Sequence, residues 1–387
     1  MLTGDNGILN RAAEAKENTE QSQLEEQKRL ASMEAATNLT ETVYNDGEKE
    51  IKIPSGFAPT GIEGENTVEE GLVITDSKGN EFVWVEVPND GTGPDYTGVE
   101  ENNNIDFLKI AKALAIYSSS TLSNNPTSLA DHLPPADKVG KDYTNEYKDV
   151  LKSIYQNGGF WVGRYETGIQ GTENATTSAR DFGTDYSTEH PTEGNVAVIK
   201  ENVQPYRWVR WGQAQTLAQG FLPATNNSNH ANLLMGVQWD LVLKFLGKSG
   251  DTDSHEWGNY RDSVFSLKPG SHYAKYSSST LSTTWKAYNE DEAGFVESSE
   301  KKSLSSGNGV LYTTGANTNQ NSKKNICDIA GNVWEWTIER TSFSGSPCSF
   351  RGGNYFYETG SSGPVSNRNG NNTGSSNYCI GFRVSLY

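Results

Sequence analysis

Three groups of residues in this chain have the types and spacing to do chemistry. They are a glutamate set between tryptophans, a scatter of histidines and cysteines, and an amide- and phenol-rich stretch that follows an Arg-Gly-Gly. The glutamate lies in CDIAGNVWEWT, residues 327–337, where Gly331-Asn332 makes a tight turn. Strand alternation then puts Val333 and Glu335 on one face and Trp334 and Trp336 on the other. A carboxylate that few waters reach needs a partner. A bound Ca²⁺ would serve, because it is hard and takes carboxylate, amide and carbonyl oxygens. A backbone donor or an arginine would serve as well. Arg351 in FRGGNY and Arg383 in CIGFRVSLY, each beside apolar strand residues and glycines, can pair with Glu335, Glu166 or backbone carbonyls. Their roles are structural, since a guanidinium does not give up its proton near neutral pH.

The remaining chemistry-bearing residues offer little to a catalyst. His132, His190, His230, His255 and His272 show neither HExxH nor two-histidine-carboxylate spacing, and read as solvated or locally bonded. Cys327, Cys348 and Cys379 are too few and too scattered for a disulfide scaffold or a structural zinc site. Three free thiols, or one disulfide with one thiol left over, both remain open. No GxGxxG, Walker or GxSxG motif occurs. Residues 351–387 contain no His, Asp or Lys, and Glu358 is their only acid.

The elements that would position these groups are short strands and a few helices. FVWVEVP alternates, with Phe82, Trp84 and Glu86 on one side and Val83, Val85 and Val87 on the other. LKSIYQNGGFWVGRYETG reads as helix, an Asn157-Gly158 turn, and a strand over Phe160 to Tyr165. WGQAQTLAQGF and GVQWDLVLKFLG read as two amphipathic helices packed on a sheet. The span 119–147 reads as a polar insertion, and 247–320 as long surface loops. Residues 1–45 are rich in good helix formers, with only a thin apolar stripe of Leu24, Leu30, Met33 and Leu39. They predict an exposed helix that docks weakly.

Composition narrows the function classes. The 387 residues can bury a sizeable core, and 39 glycines, 9 tryptophans and 18 tyrosines favour a turn-rich fold over a helical bundle. A net charge of -17 opposes binding to nucleic acid or anionic lipid, so no nucleic-acid partner is expected. No apolar run is long enough to cross a bilayer.

Two resemblances add to this reading. FVWVEVP, FWVGRYETG, WVRWGQAQTLA, GVQWDLVLKFL, DIAGNVWEWT, RGGNY and IGFRV, in this order over about residues 70–387, resemble the formylglycine-generating enzyme family. The resemblance implies an α+β, C-type lectin-like fold with little regular secondary structure, here preceded by the exposed N-terminal helix. With the readings of the N-terminus and of the ending given below, the chain is expected to divide into a pilin-like helical stalk (1–45), a linker with a short strand (46–70) and the lectin-like domain (71–387), whose segment 351–387 binds ligand. Active members carry a pair of cysteines, five residues apart, that bind copper. The matching positions here are Tyr357 and Ser362, so neither copper nor oxidase chemistry is expected. The nonheme-iron relatives need a histidine set that this chain lacks, so no iron is expected either. Matched motif by motif, Asn332 and Glu335 with nearby carbonyls correspond to a structural calcium site.

The ending is similar to a second branch of the same fold, the variable proteins of diversity-generating retroelements. Adenine-directed mutagenesis there diversifies the interval between Arg-Gly-Gly and Gly-Phe-Arg. Here 354–380 holds six Asn, three Tyr and five Ser, the side chains of antibody contact surfaces. The resemblance implies ligand contacts at Asn354, Tyr355, Tyr357, Glu358, Asn367, Asn369, Asn371, Asn372 and Asn377, flanked by Trp208 and Tyr206. The opening LTGDNGILNRAAEAKE resembles the part that follows the membrane helix of type IV pilin-like surface proteins. It implies a parent anchored to a membrane or pilus at the outer bacterial surface. The expected function is non-catalytic binding of a protein or cell-surface ligand by a monomer. An oxidoreductase and a structural pilus subunit are the alternatives.

Overall fold

Helix-forming residues wind the start of the chain into one long helix, α1 (Thr3–Thr37). The computed structural model describes residues 3–87, 93–118, 125–174, 195–222, 229–247, 254–263, 265–277, 280–281, 285–288, 309–318, 323–343, 345–357 and 363–387. The chain divides into two units, Met1–Glu81 and Phe82–Tyr387. In the first, α1 leads to the hairpin of β1 (Thr42–Asn45) and β2 (Glu50–Ile53), then to the antiparallel pair β3 (Phe57–Pro59) and β4 (Val73–Asp76). The docking face of α1 differs from the apolar stripe read in the sequence. Leu30, Met33 and Leu39 are exposed, whereas Ala31 and Ala35 are buried where the helix lies on β3 and β4. Small side chains let the helix approach the strands closely. Asn38 finishes the helix, its Nδ2 donating to Phe57 O at 2.8 Å.

The second unit takes in β5 (Glu81–Glu86) from Phe82 onward, then α2 (Phe107–Leu114), α3 (Thr144–Asn157) and β6 (Gly159–Gly163). Next come α4 (Trp211–Gln219), β7 (Ala231–Leu233) and α5 (Gly236–Phe245), then β8 (His272–Ser277) and β9 (Val310–Tyr312). Five short strands follow: β10 (Trp334–Thr337), β11 (Cys348–Arg351), β12 (Arg368–Asn371), β13 (Ile380–Phe382) and β14 (Val384–Leu386). One sheet runs in the order β7-β14-β6-β5 with antiparallel neighbours. The other runs β12-β11-β10-β13, in which β10 and β13 are parallel.

Both sides of the alternating FVWVEVP stretch are covered, and Glu81 through Val85 are all buried. Cross-strand pairing explains part of this: Val83 faces Val162, and Trp84 faces Trp161 with ring centroids 5.1 Å apart. Three buried tryptophans tie distant segments to the second sheet or to the loop between β11 and β12 through their indole N–H groups. Trp211 donates to Thr337 O at 3.0 Å, Trp336 to Val209 O at 2.9 Å, and Trp239 to Val365 O at 3.0 Å. These bonds place α4 and α5 over the sheet that carries the candidate site.

Two loop readings need correction. Helix α3 starts inside the span read as an insertion, at Thr144. Within 247–320, β8 pairs β9 with Tyr273 opposite Tyr312, and a cluster of Phe265, Leu267, Tyr273, Tyr288, Val310, Tyr312 and Ala316 is buried there. Aromatics spaced among Ser, Gly and Asn hid this small core from a periodicity argument.

Candidate functional site

The segment after Arg-Gly-Gly is held from beneath before it reaches solvent. Asn354 is buried, and its Oδ1 accepts from Phe356 N at 2.8 Å and Tyr357 N at 3.2 Å. Tyr355 is buried as well, and its N donates to Asn332 O at 3.0 Å. Both were expected among the contact residues, and the structure corrects that. An Asx turn spends the Asn354 oxygen on the backbone that aims residues 356 and 357 outward. Tyr357 is 42% exposed. Glu358 and Ser362 lie outside the described residues.

Tyr357 belongs to a run of four aromatic rings. Its centroid is 4.9 Å from that of Phe356, Phe356 is 6.0 Å from Tyr378, and Tyr378 is 6.0 Å from Trp208. Trp208 has φ +57°, a left-handed conformation that a bulky side chain rarely adopts. Two hydrogen bonds brace it against the C-terminal segment: Trp208 N donates to Asn377 O at 3.0 Å and Arg207 Nη1 to Tyr378 O at 3.1 Å. Arg261 N donates to Tyr357 O at 2.9 Å. Trp208 therefore ends the aromatic run. Tyr206 does not flank it, because it is buried with its ring 5.8 Å from that of Phe382.

The asparagines divide into groups. Asn377 sits beside Tyr378, and its Oδ1 accepts from Cys379 N at 3.4 Å. Asn369 and Asn371 lie on β12, the outer strand of its sheet, opposite Phe350 and Cys348. Asn371 Oδ1 accepts from Asn372 N at 3.0 Å and Ser375 Oγ at 2.9 Å, and Asn372 Oδ1 from Gly374 N at 3.0 Å. Asn369 Oδ1 accepts from Gly370 N at 2.8 Å. Asn367 N donates to Pro364 O at 2.8 Å. Residues 367–372 and the aromatic run are thus two patches of one segment, and several amide oxygens serve local turns.

Below the face lies a buried polar centre. Gly331, at φ +75°, and Asn332, at φ +56°, form the expected turn, and a Cβ on Gly331 would lie 2.1 Å from Asn259 O. Asn332 Oδ1 accepts from Asn259 Nδ2 at 2.8 Å and Tyr312 N at 3.2 Å, while its Nδ2 donates to Glu166 Oε1. Glu335 pairs with Arg383, whose Nε donates to both carboxylate oxygens at 3.1 and 2.9 Å and whose Nη2 donates at 2.8 Å. The same guanidinium donates to Gly163 O at 2.7 Å and Cys327 O at 2.8 Å. Burial pushes the Glu335 carboxyl up, against the pull of Arg383. Burial, helped by Asp328 and Glu335, lifts Glu166 well above its ordinary value. Asp328 is pushed up to about 7, chiefly by burial, although Arg383 and the Gly315 N–H pull it down. Of the implied calcium ligands, Glu335 is paired with an arginine and the Asn332 oxygen already accepts twice, while Glu166 Oε2 and Asp328 Oδ1 are buried without a hydrogen-bond partner.

A second charge cluster escaped sequence reasoning. Arg351 pairs with Asp240 and lies 3.7 Å from Glu339, while Arg368 pairs with Glu339 and lies 3.9 Å from Asp240. Three buried side chains and the half-buried Arg368 close a ring. Its arginines hold the Glu339 carboxyl below its ordinary value, against the opposing effect of burial. Asp240, Glu339 and Arg368 also line a cavity of about 20 Å³ with His132, Tyr147 and Leu114, enough room for one water. Burial lowers the His132 pKa, against the opposing pull of Glu339 and Asp131.

All three cysteines are free and buried. Burial pushes each thiol up to about 12, which removes the thiolate that metal binding or nucleophilic attack requires.

No curated protein matches the sequence. Among solved structures the chain's likeness is remote. "Crystal Structure of CarF" is 16% identical with a TM-score of 0.31, covering 59% of this chain and 85% of that one. Treponema denticola variable protein 1 is 13% identical with a TM-score of 0.31, covering 59% of this chain and 84% of that one. Likenesses of that size say nothing about activity. The model of the sulfatase-modifying factor enzyme 1-like domain matches residues 159–386, more than half of the chain and every strand of the candidate site, and the chain belongs to that family.

Proposed function

We propose that this member of the family binds a ligand and performs no chemistry on it, and that it does so from the outer surface of a bacterial cell. The observation that carries the reading is Tyr357. It stands where the resemblance implies a metal-binding cysteine, it is exposed, and it is joined to Phe356, Tyr378 and Trp208 in one aromatic run. Aromatic rings bury large area at low entropic cost, and neighbouring amides adapt their hydrogen bonds to different partners. The inert thiols support the same view, since the family's oxidase chemistry runs through a thiolate.

The ligand is a protein or another cell-surface molecule, and the net charge of -17 weighs against nucleic acid. Residues 354–380 are diversified between constant flanks, and the long polar helix α1 continues toward a membrane or pilus anchor. Sequencing the gene from many members of one population tests the display reading. Differences confined to adenines in codons 354–380 are expected. Uniform variation along the gene would remove the diversified face. Purified protein supplied with Cu(I) and a cysteine-containing peptide should consume no oxygen, and turnover would restore the oxidoreductase alternative.

A further inference from the structure

A glycine that follows an asparagine has no Cβ to shield its nitrogen, so the preceding side-chain amide is exposed to attack by the backbone. The sequence holds four Asn-Gly pairs, at 6–7, 157–158, 308–309 and 369–370. Local geometry separates them. Asn6-Gly7 lies inside α1, and Asn308 lies outside the described residues. Asn157 ends α3, where Gly158 N is held in a helix bond to Ile154 O at 3.2 Å and Asn157 Nδ2 donates to Ser153 Oγ at 3.4 Å. At the fourth pair Gly370 N donates to Asn369 Oδ1 at 2.8 Å, so the nitrogen that would attack already touches the amide it would attack. Both residues are half-buried on β12, the outer strand of its sheet. We propose that Asn369 is a site of spontaneous covalent modification, where the side-chain amide is lost to give aspartate and isoaspartate. The chemistry does not depend on the ligand-binding reading, although the site lies on the face proposed to bind.

The steps need only water and its hydroxide. Base takes the Gly370 N–H proton, and the nitrogen bonds to Asn369 Cγ as the Cγ–Nδ2 bond breaks. Nδ2 leaves as ammonia after gaining a proton from solvent, and a five-membered imide remains. Water then opens the ring at either carbonyl. Opening at Cγ gives aspartate, and opening at the main-chain carbonyl gives isoaspartate, whose backbone runs through Cβ and Cγ. Attack requires the Asn369–Gly370 linkage to rotate out of its extended conformation, and an outer strand, paired along one side only, opens locally more readily than β11 or β10. Asn371 is arranged similarly, with its Oδ1 accepting from Asn372 N at 3.0 Å, but residue 372 carries a Cβ and Ser375 Oγ also holds that oxygen at 2.9 Å. Either product puts a new negative charge next to Arg368. Isoaspartate also lengthens β12 by one backbone atom, which disturbs the pairing of residue 369 with Phe350 and the bond from Ser349 Oγ to Asn369 O at 3.2 Å.

The test is peptide mapping by mass spectrometry on the whole chain, aged in ¹⁸O-labelled water at pH 7 and at pH 9, both folded and in urea. In the folded chain the Asn369 peptide should take up the label at that residue and split into aspartate and isoaspartate forms. Conversion should be faster at pH 9, because the attacking nitrogen must lose its proton. The Asn157 peptide should lag by about tenfold, since its glycine must first leave a helix bond. In urea the two rates should converge. Conversion of folded Asn369 no faster than that of Asn157, or conversion only in urea, overturns the proposal. Asn369→Gln should remove the acidic species that ion exchange resolves from the aged native chain, and its persistence at the same rate overturns the assignment to this residue. The mapping reads the amide chemistry alone, so its outcome is separate from that of the sequencing test of the diversified face.

Discussion

Asp328 gives the centre beneath the ligand face a measurable signature. Its carboxyl is fully buried beside Glu335 and Glu166, and its pKa in the folded chain is about 7, against an ordinary value of 3.8. Between those two values the native state keeps a proton that the unfolded chain has released. The stabilising effect is fully present below pH 4 and is lost as the pH rises through 7. Well inside that window each unit of pH costs about 1.4 kcal/mol and the slope halves near 7, so roughly 2 kcal/mol disappears between pH 5 and 7. Asp328→Asn removes the titration, and the new side chain retains an oxygen for the Gly315 N–H, which Asp328 Oδ2 now accepts at 2.7 Å. Other groups shape the absolute profile, so the informative quantity is the difference between variant and parent. Thermal melts followed by tryptophan fluorescence at half-unit steps from pH 5 to 8 measure it. The variant should gain on the parent by roughly 5 °C across pH 5 to 7 and hold that gain above pH 7. Parallel curves would mean that Asp328 is ionised in the folded chain across this range, and the account of a proton-bearing core would be wrong.

Three further outcomes follow from the same geometry. Arg368→Met leaves Glu339 buried with only the more distant Arg351, and denaturant titration should show a loss of about 3–5 kcal/mol. Gly331→Ala demands both a left-handed alanine and a Cβ 2.1 Å from Asn259 O, and should cost more than about 3 kcal/mol or prevent soluble expression. A colorimetric thiol reagent should find none of the three cysteines reactive in the native chain and all three after unfolding, because each is buried with its thiol pushed up to about 12.

The order of motifs made the fold legible, and the reason is physical. Gly331-Asn332, the tryptophans around Glu335 and the Arg-Gly-Gly pair sit where backbone conformation or close packing tolerates little else. The pairing of Arg383 with Glu335 was among the partners the sequence allowed, since both lie beside strand residues. The Arg351–Asp240 pair was not, because 111 residues separate the two and Asp240 looks like any polar position of an amphipathic helix. Asn354 and Tyr355 were misplaced for a different reason. Composition counts Asn and Tyr but does not say which amide oxygen a turn will claim or which ring faces inward. His132 was read as ordinary because only the packing of α2, α3 and α5 around it makes a cavity.

Arg383 and Gly163 meet across 220 residues of chain, and the strand that carries Leu386 lies between β7 and β6. That arrangement sets how the protein must come into being. Residues 159–163 leave the ribosome long before their central sheet neighbour exists, and loop closure over such a span is slow. Until residues 380–386 arrive, β6 lacks one of its sheet neighbours, and the Glu335 carboxylate lacks its counter-charge. Nascent chains of this protein should therefore depend on chaperones that shield open strand edges, and a ribosome stalled before codon 380 should yield a chain that proteases clear.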